Sequence, residues 1–260
     1  MRKYLQFLII SFLISQYIGV ALAQKPRKLD LYLLVGQSNM AGRGAVETED
    51  RTPHPRIWML NKQEEWVPAT EPMHFDKPTV VGVGPGFAFG RKIAEAFPRR
   101  NIGLIPCAAG GSAIDSWVQG GYHDQTKTYP YDETLVRARA ALKNGRLKGI
   151  IWHQGESDSS PEKAEEYAAK LADLIQLLRQ ELNAPDVPVV VGTLGDFYVA
   201  KSPAAAVVNR ALEALPQQVD NTACVSSGGL IHKGDNTHFD SPSARELGRR
   251  YAEAMLKLVK

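Results

Sequence analysis

The sequence predicts an α/β protein, a three-layer α/β/α sandwich with a central parallel sheet and right-handed crossovers. Short runs of almost continuously apolar residues alternate along the chain with longer segments whose apolar residues recur at helical spacing. Strands that are apolar on both faces are typical of a parallel sheet that helices cover on both sides. In such sheets the functional residues lie at the carboxyl ends of the strands.

The chain of 260 residues begins with a stretch that predicts a secretory signal peptide. Two basic residues precede an apolar run over residues 4–20, and the small residues Ala21 and Ala23 fit a cleavage site. A membrane anchor is the alternative, but a span needs about 20 apolar residues and polar residues interrupt this run. We therefore expect residues 1–23 to be removed, leaving a single secreted or periplasmic domain over residues 24–260 without a membrane anchor.

The mature chain is nearly neutral. Its formal net charge falls from +3 to +1 when the leader and its two basic residues are removed. Because no cluster of Lys and Arg remains, the sequence argues against binding to nucleic acid or to an anionic membrane surface. The substrate is not expected to be polyanionic, and the oligomeric state is left open.

Four apolar runs are predicted as buried strands, and a fifth short strand interrupts a long segment without clear periodicity. That segment, residues 41–85, is expected to fold over the edge of the sheet and to shape a substrate cleft. The four runs are 29–35, 102–107, 147–152 and 187–194, and the short strand is 57–60.

Five segments have the apolar spacing of helices that pack one face against the sheet. The clearest begins with Ser160 as a candidate N-cap, Pro161 at the first helical position and Glu162 in an acidic first turn. The predicted helices are 87–97, 134–143, 161–182, 204–215 and 241–260.

The two cysteines, Cys107 and Cys224, can pair in only one way in an oxidising compartment. Cys107 ends an apolar run, however, so a small buried thiol on a core strand is the simpler interpretation. Neither cysteine has a neighbouring His in a motif, and we do not expect either to be catalytic.

The first strand ends in Gly36-Gln37-Ser38-Asn39-Met40. A serine directly after a strand, preceded by a glycine that allows a tight turn, is placed at a helix N-terminus where backbone N–H groups stabilise developing negative charge. The string lacks the second glycine of the G-x-S-x-G nucleophile elbow. Ser38 is therefore a candidate nucleophile, and a plain helix N-cap is the alternative.

Two further strands also run into small or polar residues. The second predicted strand leads into Gly110-Gly111-Ser112, whose glycines let a reacting oxygen approach backbone N–H donors. The third leads into His153-Gln154-Gly155-Glu156, where the Gln154 amide is a candidate donor to the same oxygen. An ordinary strand-to-helix turn is the alternative for the glycines.

Asp235-Asn236-Thr237-His238 lies just before the last predicted helix. An aspartate three residues before a histidine on a turn is able to accept the Nδ1–H of the ring, which leaves Nε2 free to take a proton from a serine hydroxyl. A surface histidine without a role is the alternative. The occurrence of all four strings at strand or loop ends of one sheet favours a shared site.

Together these strings resemble the motif blocks of the SGNH-hydrolase superfamily, and more narrowly those of carbohydrate esterase family six and the related sialate O-acetylesterase group. The similarity runs from about residue 29 to residue 251. It implies a flavodoxin-like three-layer sandwich, in agreement with the alternation of strands and helices. It also implies an ester hydrolase with a serine nucleophile and no cofactor.

Carried over by position, the resemblance makes Ser38 the nucleophile, His238 the general base and then acid, and Asp235 the carboxylate that orients His238. Glu156, two residues beyond Gln154, is the alternative acid; otherwise it supports the site from behind. The implied oxyanion hole consists of the backbone N–H groups of Ser38 and Gly110, with Gly111 as the close alternative, and the Gln154 side chain.

The resemblance implies an acetyl ester on a sugar hydroxyl, either on xylan or another plant polysaccharide or on a sialic acid. The nearly neutral charge and the predicted export favour a neutral extracellular polysaccharide such as acetylated xylan. A glycan-binding protein without catalysis and an esterase for lipid or thioester acyl chains remain alternatives. No metal is expected, because the six histidines lack ligand spacing such as H-E-x-x-H.

Several side chains are candidates for contacts with the sugar. Arg43 and Asp115 are charged residues in predicted loops, and aromatic rings in such loops are able to stack on the apolar faces of sugars. Packing inside the protein is the alternative for every ring. The aromatic candidates are Trp117, Trp66, Tyr122 and Tyr129.

Overall fold

The computed structural model describes residues 28–259. In this part of the chain, seven strands form one sheet in the order β3-β2-β4-β1-β5-β6-β7. The predicted leader, residues 1–23, lies outside the described residues. The strands are β1 (Leu29–Gly36), β2 (Ile57–Leu60), β3 (Trp66–Pro68), β4 (Ile102–Pro106), β5 (Gly145–His153), β6 (Val189–Gly192) and β7 (Thr222–Val225).

Helices pack on both faces of this sheet, so the predicted α/β sandwich is confirmed. The sheet is not wholly parallel, because the edge strand β3 runs antiparallel to β2. Among the described residues no helix is both long and apolar enough to cross a membrane. The helices are α1 (Ser38–Ala41), α2 (Pro85–Ala96), α3 (Pro130–Leu142), α4 (Pro161–Glu181), α5 (Asp196–Lys201), α6 (Ala205–Gln218) and α7 (Ser241–Leu258).

The central strand β1 explains why the sequence folds in this way. Successive side chains of a strand point to opposite faces of the sheet. Leu31 and Leu33 pack with α3, α4 and α6 on one face, whereas Tyr32 and Leu34 pack with α2 and α7 on the other. All four side chains are almost completely buried, so β1 has to be apolar at nearly every position.

The position of β1 also fixes where a site can form. β1 lies between β4 and β5, and the chain crosses to opposite sides of β1 to reach these neighbours. In open α/β sheets a crevice opens outside the carboxyl ends of strands at such a reversal of strand order. Ser38, the Gly110–Gly111 turn and Gln154 follow three adjacent strands at this place.

The elements that the sequence analysis missed are short. The predicted insertion 41–85 contains two strands where one was expected, because β3 adds to the edge of β2. β7 is only four residues long and half of them are partly exposed, so it lacks a continuous apolar run. β6 is shorter than the predicted 187–194, and Pro188 directly before it has no N–H for a ladder.

Two helices, α2 and α3, begin earlier than the sequence predicts, and each begins with a proline. α2 begins at Pro85 and α3 at Pro130, each with proline in the first turn, because proline lacks an N–H that would in any case be unpaired there. The predictions for these two helices began at residues 87 and 134. The start of α4 at Pro161 agrees with its predicted start.

Cys107 and Cys224 are free thiols. Cys107 directly follows β4, whereas Cys224 lies on β7 at the edge of the sheet, four strands away. Four strand spacings amount to about 19 Å, and a disulfide requires Cα atoms within about 7 Å. The fold therefore excludes this bridge and leaves the interpretation of free thiols.

Candidate active site

The turn after β1 depends on Gly36. This residue has a φ of +135°, and a Cβ atom at this position would collide with the backbone of His153 on β5. Only glycine therefore allows the chain to leave the sheet so close to its neighbour. Ser38 follows as the first residue of the short helix α1 and is 7% exposed.

Ser38, His238 and Asp235 form a continuous chain of hydrogen bonds. His238 Nε2 lies 3.0 Å from Ser38 Oγ, and His238 Nδ1 lies 2.7 Å from Asp235 Oδ2. The other oxygen of Asp235 accepts the backbone N–H groups of Thr237 at 2.9 Å and of His238 at 2.8 Å. One carboxylate thus holds both the ring and the backbone of His238.

These contacts set the charges at the site. Burial opposes the charged form of Asp235, but hydrogen bonds from the His238 backbone and ring and from Thr237 outweigh it and lower the pKa of Asp235 to about 2. Burial also lowers the pKa of His238 below its usual 6.5, against the raising effect of Asp235. At neutral pH the site therefore combines a carboxylate with a neutral imidazole, which is the state that a general base requires.

The four predicted oxyanion donors do not share one environment. Among the described residues, the backbone N–H groups of Ser38 and Gly111 have no acceptor. The N–H of Gly110 instead donates to the carboxylate of Asp76 at 2.9 Å, so this donor is already used. Of the two alternative glycines, the geometry favours Gly111.

Gln154 does not meet its prediction as an oxyanion donor. Its side chain is completely buried, and Nε2 lies within hydrogen-bonding distance of the Gln37 side chain, the Ser112 carbonyl and Asp158. An amide nitrogen has only two protons, so these protein acceptors leave no N–H for a substrate. Gln154 instead ties together the loops that follow β1, β4 and β5.

Glu156 lies beneath the site. It is 7% exposed, and its Oε1 accepts a hydrogen bond from the Asn39 side chain. Burial raises the pKa of Glu156 to about 7, although the hydrogen bond from Asn39 opposes this effect. The hydrogen bonds of the His238 ring go to Asp235 and Ser38, so the geometry does not support Glu156 as the acid of the triad.

Asn39 is a site residue that the sequence analysis did not single out. Its Nδ2 also donates to the Thr237 carbonyl at 3.0 Å, and its Oδ1 accepts the Phe239 N–H at 3.1 Å. Thr237 and Phe239 flank His238, so Asn39 links the serine turn to the loop that carries the histidine. The signal was its place next to Ser38, but its partners are about 200 residues away.

Three of the six candidates for contacts with the sugar lie in different surroundings. Trp117 is 1% exposed, donates its ring N–H to Ser112 and packs edge-on against Trp152, so it belongs to the core. Arg43 is buried in an ion pair with Asp76, which removes it from the cleft surface. Asp115 is exposed and paired with Lys170 at 2.6 Å.

An open groove borders the Gly111 turn. It has a volume of about 520 Å³ and is lined mostly by polar atoms. Tyr122 stands in this groove with half of its surface exposed, and its ring lies 5.1 Å from that of Tyr129. The lining residues are Gly111, Ala113, Asp115, Ser116, Tyr122, His123, Gln125, Ser157 and Lys163.

In the part of the chain that the structure describes, no three side chains of His, Cys, Asp or Glu cluster in a way that could hold a metal ion.

The chain is similar in sequence to proteins named as an esterase and a deacetylase. The chain is 33% identical over 247 residues to a probable carbohydrate esterase of Arabidopsis thaliana, covering 87% of this chain and 90% of the relative. It is 28% identical over 194 residues to a probable 9-O-acetyl-N-acetylneuraminic acid deacetylase of Escherichia coli, covering 58% and 60% of the two chains.

Solved structures have the same fold. A structure of a protein from Arabidopsis thaliana superposes with a TM-score of 0.79 at 31% identity, covering 90% of this chain and 99% of the other. A carbohydrate acetylesterase from Xanthomonas citri superposes with a TM-score of 0.68 at 20% identity, covering 88% and 56%. The family model described as "Carbohydrate esterase, sialic acid-specific acetylesterase" matches residues 28–257. The chain therefore belongs to this family of carbohydrate esterases and is a carboxylic ester hydrolase.

Proposed function

We propose that the protein is a secreted or periplasmic serine acetylesterase that removes O-acetyl groups from a neutral polysaccharide such as acetylated xylan. The observation that carries the mechanism is the hydrogen-bonded chain from Ser38 through His238 to Asp235. Export is supported by the leader pattern of residues 1–23.

The reaction proceeds in two acyl-transfer steps. Ser38 Oγ attacks the carbonyl carbon of the acetyl ester while His238 Nε2 takes the hydroxyl proton. The tetrahedral intermediate collapses, the bond to the sugar oxygen breaks, and His238 returns the proton to that oxygen. A water molecule then attacks the acetyl group on Ser38 with His238 again as base, and acetate leaves as Ser38 regains its proton.

Asp235 and the free backbone N–H groups have separate tasks in this mechanism. Asp235 accepts the Nδ1–H of His238, which fixes the tautomer and stabilises the imidazolium that forms. The N–H groups of Ser38 and Gly111 are the donors that we assign to the negatively charged oxygen of the intermediate. Hydrogen bonds that tighten as charge develops on this oxygen accelerate the reaction.

Two observations support a neutral polysaccharide over a free sialic acid. Arg43 is neutralised by Asp76 and buried, so this cation is not available to a sugar carboxylate. The groove beside Gly111 extends to Tyr122 and offers room for sugar rings next to the acetylated one. The alternative, sialate O-acetylesterase activity, is favoured by the name of the Escherichia coli relative and by the description of the family.

Acetate release tests both the mechanism and the substrate. The purified protein is incubated with acetylated xylan and with 9-O-acetylated sialic acid, and Ser38→Ala is the control. We expect release from xylan that disappears in the variant. Faster release from the sialic acid would replace the substrate but keep the mechanism. Retained activity in Ser38→Ala would overturn the serine mechanism.

A serine-reactive phosphonofluoridate distinguishes the enzyme from a glycan-binding protein that has kept only the fold. The enzyme is expected to gain the mass of one phosphonyl group on Ser38 and to lose its esterase activity in proportion. His238→Ala is the matched control, because it keeps the serine but removes the base and should slow the labelling. Rapid glycan binding without labelling or acetate release would favour the non-catalytic protein.

The Tyr122 ring tests the contribution of the groove. Tyr122→Ala is expected to raise the KM for acetylated xylo-oligosaccharides up to about tenfold, because an aromatic contact contributes up to about 1.5 kcal/mol. The KM for p-nitrophenyl acetate should not change. Tyr122→Phe keeps the ring and serves as the control. Equal effects on both substrates would remove the groove from the proposal.

A further inference from the structure

The residues that follow β4 form a segment that is hydrogen-bonded on two sides. On the side of β1, the N–H of Cys107 donates to the Leu34 carbonyl and the N–H of Ala109 donates to the Gly36 carbonyl. On the other side, no strand of the described residues lies next to the alternate N–H groups, because the pairing with β2 ends at Leu104. A segment without such a neighbour needs other acceptors for its buried N–H groups.

Two side chains of the insertion supply these acceptors. The N–H of Ala108 donates to His74 Nδ1 at 3.3 Å, and the N–H of Gly110 donates to Asp76 Oδ2 at 2.9 Å. Burial lowers the pKa of His74 to about 3, so the ring is neutral and able to accept. The side chains of His74 and Asp76, two residues apart, thus supply the acceptors that a neighbouring strand would otherwise provide.

The Asp76 side chain is buried in the interior of the protein. Its Oδ2 also accepts a hydrogen bond from Arg43 Nη2 at 2.7 Å, and the side chains of Arg43 and Asp76 are only 4% and 1% exposed. Gly110 has to be glycine here, because a Cβ atom would collide with the Arg43 guanidinium and the Asp76 carboxylate. The glycine and the ion pair are therefore fitted to each other.

In the resulting turn, the polar backbone groups on either side of the Gly111 N–H are hydrogen-bonded to side chains. The Gly111 carbonyl accepts the Ser157 hydroxyl at 2.9 Å, and Gly111 itself has a φ of +88°. The Gly111 N–H belongs to the same planar peptide as the Gly110 carbonyl, which lies 3.3 Å from His123 Nε2. Asp76 holds the N–H on one side of this peptide and Ser157 holds the carbonyl on the other, so the peptide that carries the Gly111 N–H is fixed at both ends. Among the described residues this N–H has no acceptor.

We propose that Asp76 is a positioning residue of the oxyanion hole: by fixing the Gly110 N–H, it aims the Gly111 N–H at the carbonyl oxygen of the ester. Arg43 is the counter-ion that allows the carboxylate to be buried. This role rests on the serine esterase function proposed above. Asp76 does not contact the substrate, because its side chain is buried.

The ion pair also has an electrostatic effect on the general base. Burial lowers the pKa of His238, Asp235 raises it, and the positive charges of Arg43 and Lys233 lower it further. Asp76 compensates the charge of Arg43. A variant that removes the carboxylate but leaves Arg43 should therefore move the acidic limb of the activity profile to lower pH.

Two substitutions at Asp76 separate geometry from charge. Asp76→Asn keeps an oxygen that accepts the Gly110 N–H, so we expect kcat for p-nitrophenyl acetate to fall less than about tenfold while the acidic limb moves to lower pH. Asp76→Ala removes the acceptor, and we expect kcat to fall about 100-fold with little change in KM, since a displaced donor costs about as much as a lost one.

A double substitution controls for folding. Replacing a buried ion pair by apolar side chains of similar size is often tolerated, so Arg43→Met with Asp76→Leu should fold even if Asp76→Ala does not. Circular dichroism and thermal unfolding check this. We expect the same fall in kcat of about 100-fold and an acidic limb at slightly higher pH than in the wild type, because the charge of Arg43 is also gone.

The outcomes discriminate between the roles. Full activity in the folded double variant would overturn the proposal, and so would a rise in kcat in Asp76→Ala, which would mean that Asp76 blocks the donor that the reaction needs. A change confined to KM would place Asp76 in substrate binding. If the wild type shows no Ser38-dependent esterase activity, the proposed function fails first, independently of Asp76.

Discussion

Two carboxylates near Ser38 differ in almost every physical respect. Asp235 lies on a loop with 36% of its side chain exposed, accepts hydrogen bonds from a ring and two backbone N–H groups, and has a pKa lowered to about 2. Glu156 is buried after β5, has one oxygen without a partner among the described residues, and has a pKa raised to about 7. Both belong to motif strings in the sequence, but only Asp235 combines negative charge with contact to His238.

The difference shows how the fold separates chemistry from scaffold. In the proposed mechanism the partially exposed loop carries His238, which exchanges a proton with Ser38, and hydrogen bonds keep the Asp235 carboxylate charged. The buried turn after β5 carries Gln154, Glu156 and Asp158, which connect loops to one another. The following experiments test this separation, beginning with the largest effect.

Asp235→Asn is expected to lower kcat about 10⁴-fold. The amide keeps the size of the side chain but presents an N–H where His238 needs an acceptor, so the ring is held in the wrong tautomer. Acetate release from the preferred ester measures the effect. Asp173→Asn, at an exposed position on α4, is the control and should be fully active.

Glu156→Gln provides the matched comparison in activity. Because Glu156 has no contact with the His238 ring, we expect kcat to fall less than about tenfold. A loss in Glu156→Gln far larger than that in Asp235→Asn would reverse the assignment of the triad acid and would make the buried turn the catalytic one.

Gln154→Ala tests whether the amide belongs to the scaffold. Its removal takes a hydrogen-bond donor from Asp158, the Ser112 carbonyl and the Gln37 side chain, so we expect a loss of about 3 kcal/mol in the free energy of unfolding. Urea unfolding measures this, with the exposed Gln176→Ala as the control. A fall in kcat of about 10²-fold or more with unchanged stability would instead assign the amide to the oxyanion hole.

Much of this site was predictable from the sequence because its motifs are local. Ser38 directly follows an apolar strand, and the spacing of three residues between Asp235 and His238 is enough for one carboxylate to reach both ring and backbone. The alternation of apolar runs likewise predicted the layers and four of the seven strands of the described sheet nearly in place, together with the short strand β2.

The parts that sequence analysis missed depend on distant partners. Asp76 lies in an insertion without periodicity, and nothing in its local sequence indicates contact with Gly110 or Arg43. The sequence predicts Gln154 as an oxyanion donor because it lies at a strand end, but three acceptors from separate segments surround its amide. Trp117 lies in a predicted loop and yet packs inside, because its ring contacts Trp152 of β5 and donates to Ser112, which its local sequence does not indicate.

The contributions of Glu156 and Asp235 to the stability of the protein should depend on pH in opposite directions, because the pKa of Glu156 is raised and that of Asp235 is lowered. Because burial raises the pKa of Glu156 from 4.5 to about 7, its contribution is complete below pH 4.5 and is lost as the pH rises through 7. Between pH 5 and pH 8 the wild type should lose up to about 3 kcal/mol relative to Glu156→Gln. Urea unfolding of both proteins at the two pH values measures this, with Glu162→Gln as a control. A constant difference would show that Glu156 does not change its protonation state in the folded protein differently from the unfolded chain over this range, against the raised pKa.

The smallest effect concerns the pH profile of activity. Since burial lowers the pKa of His238 below 6.5, the acidic limb of kcat/KM for p-nitrophenyl acetate should have its midpoint below this value, with the slope of a single proton. Asp235 is charged over this whole range and contributes no second ionisation. The charged groups that act on His238 are Asp235, Arg43 and Lys233, so Glu156→Gln should leave the midpoint in place. A limb near pH 7 that disappears in Glu156→Gln would mean that the buried carboxylate takes part in the proton transfer after all.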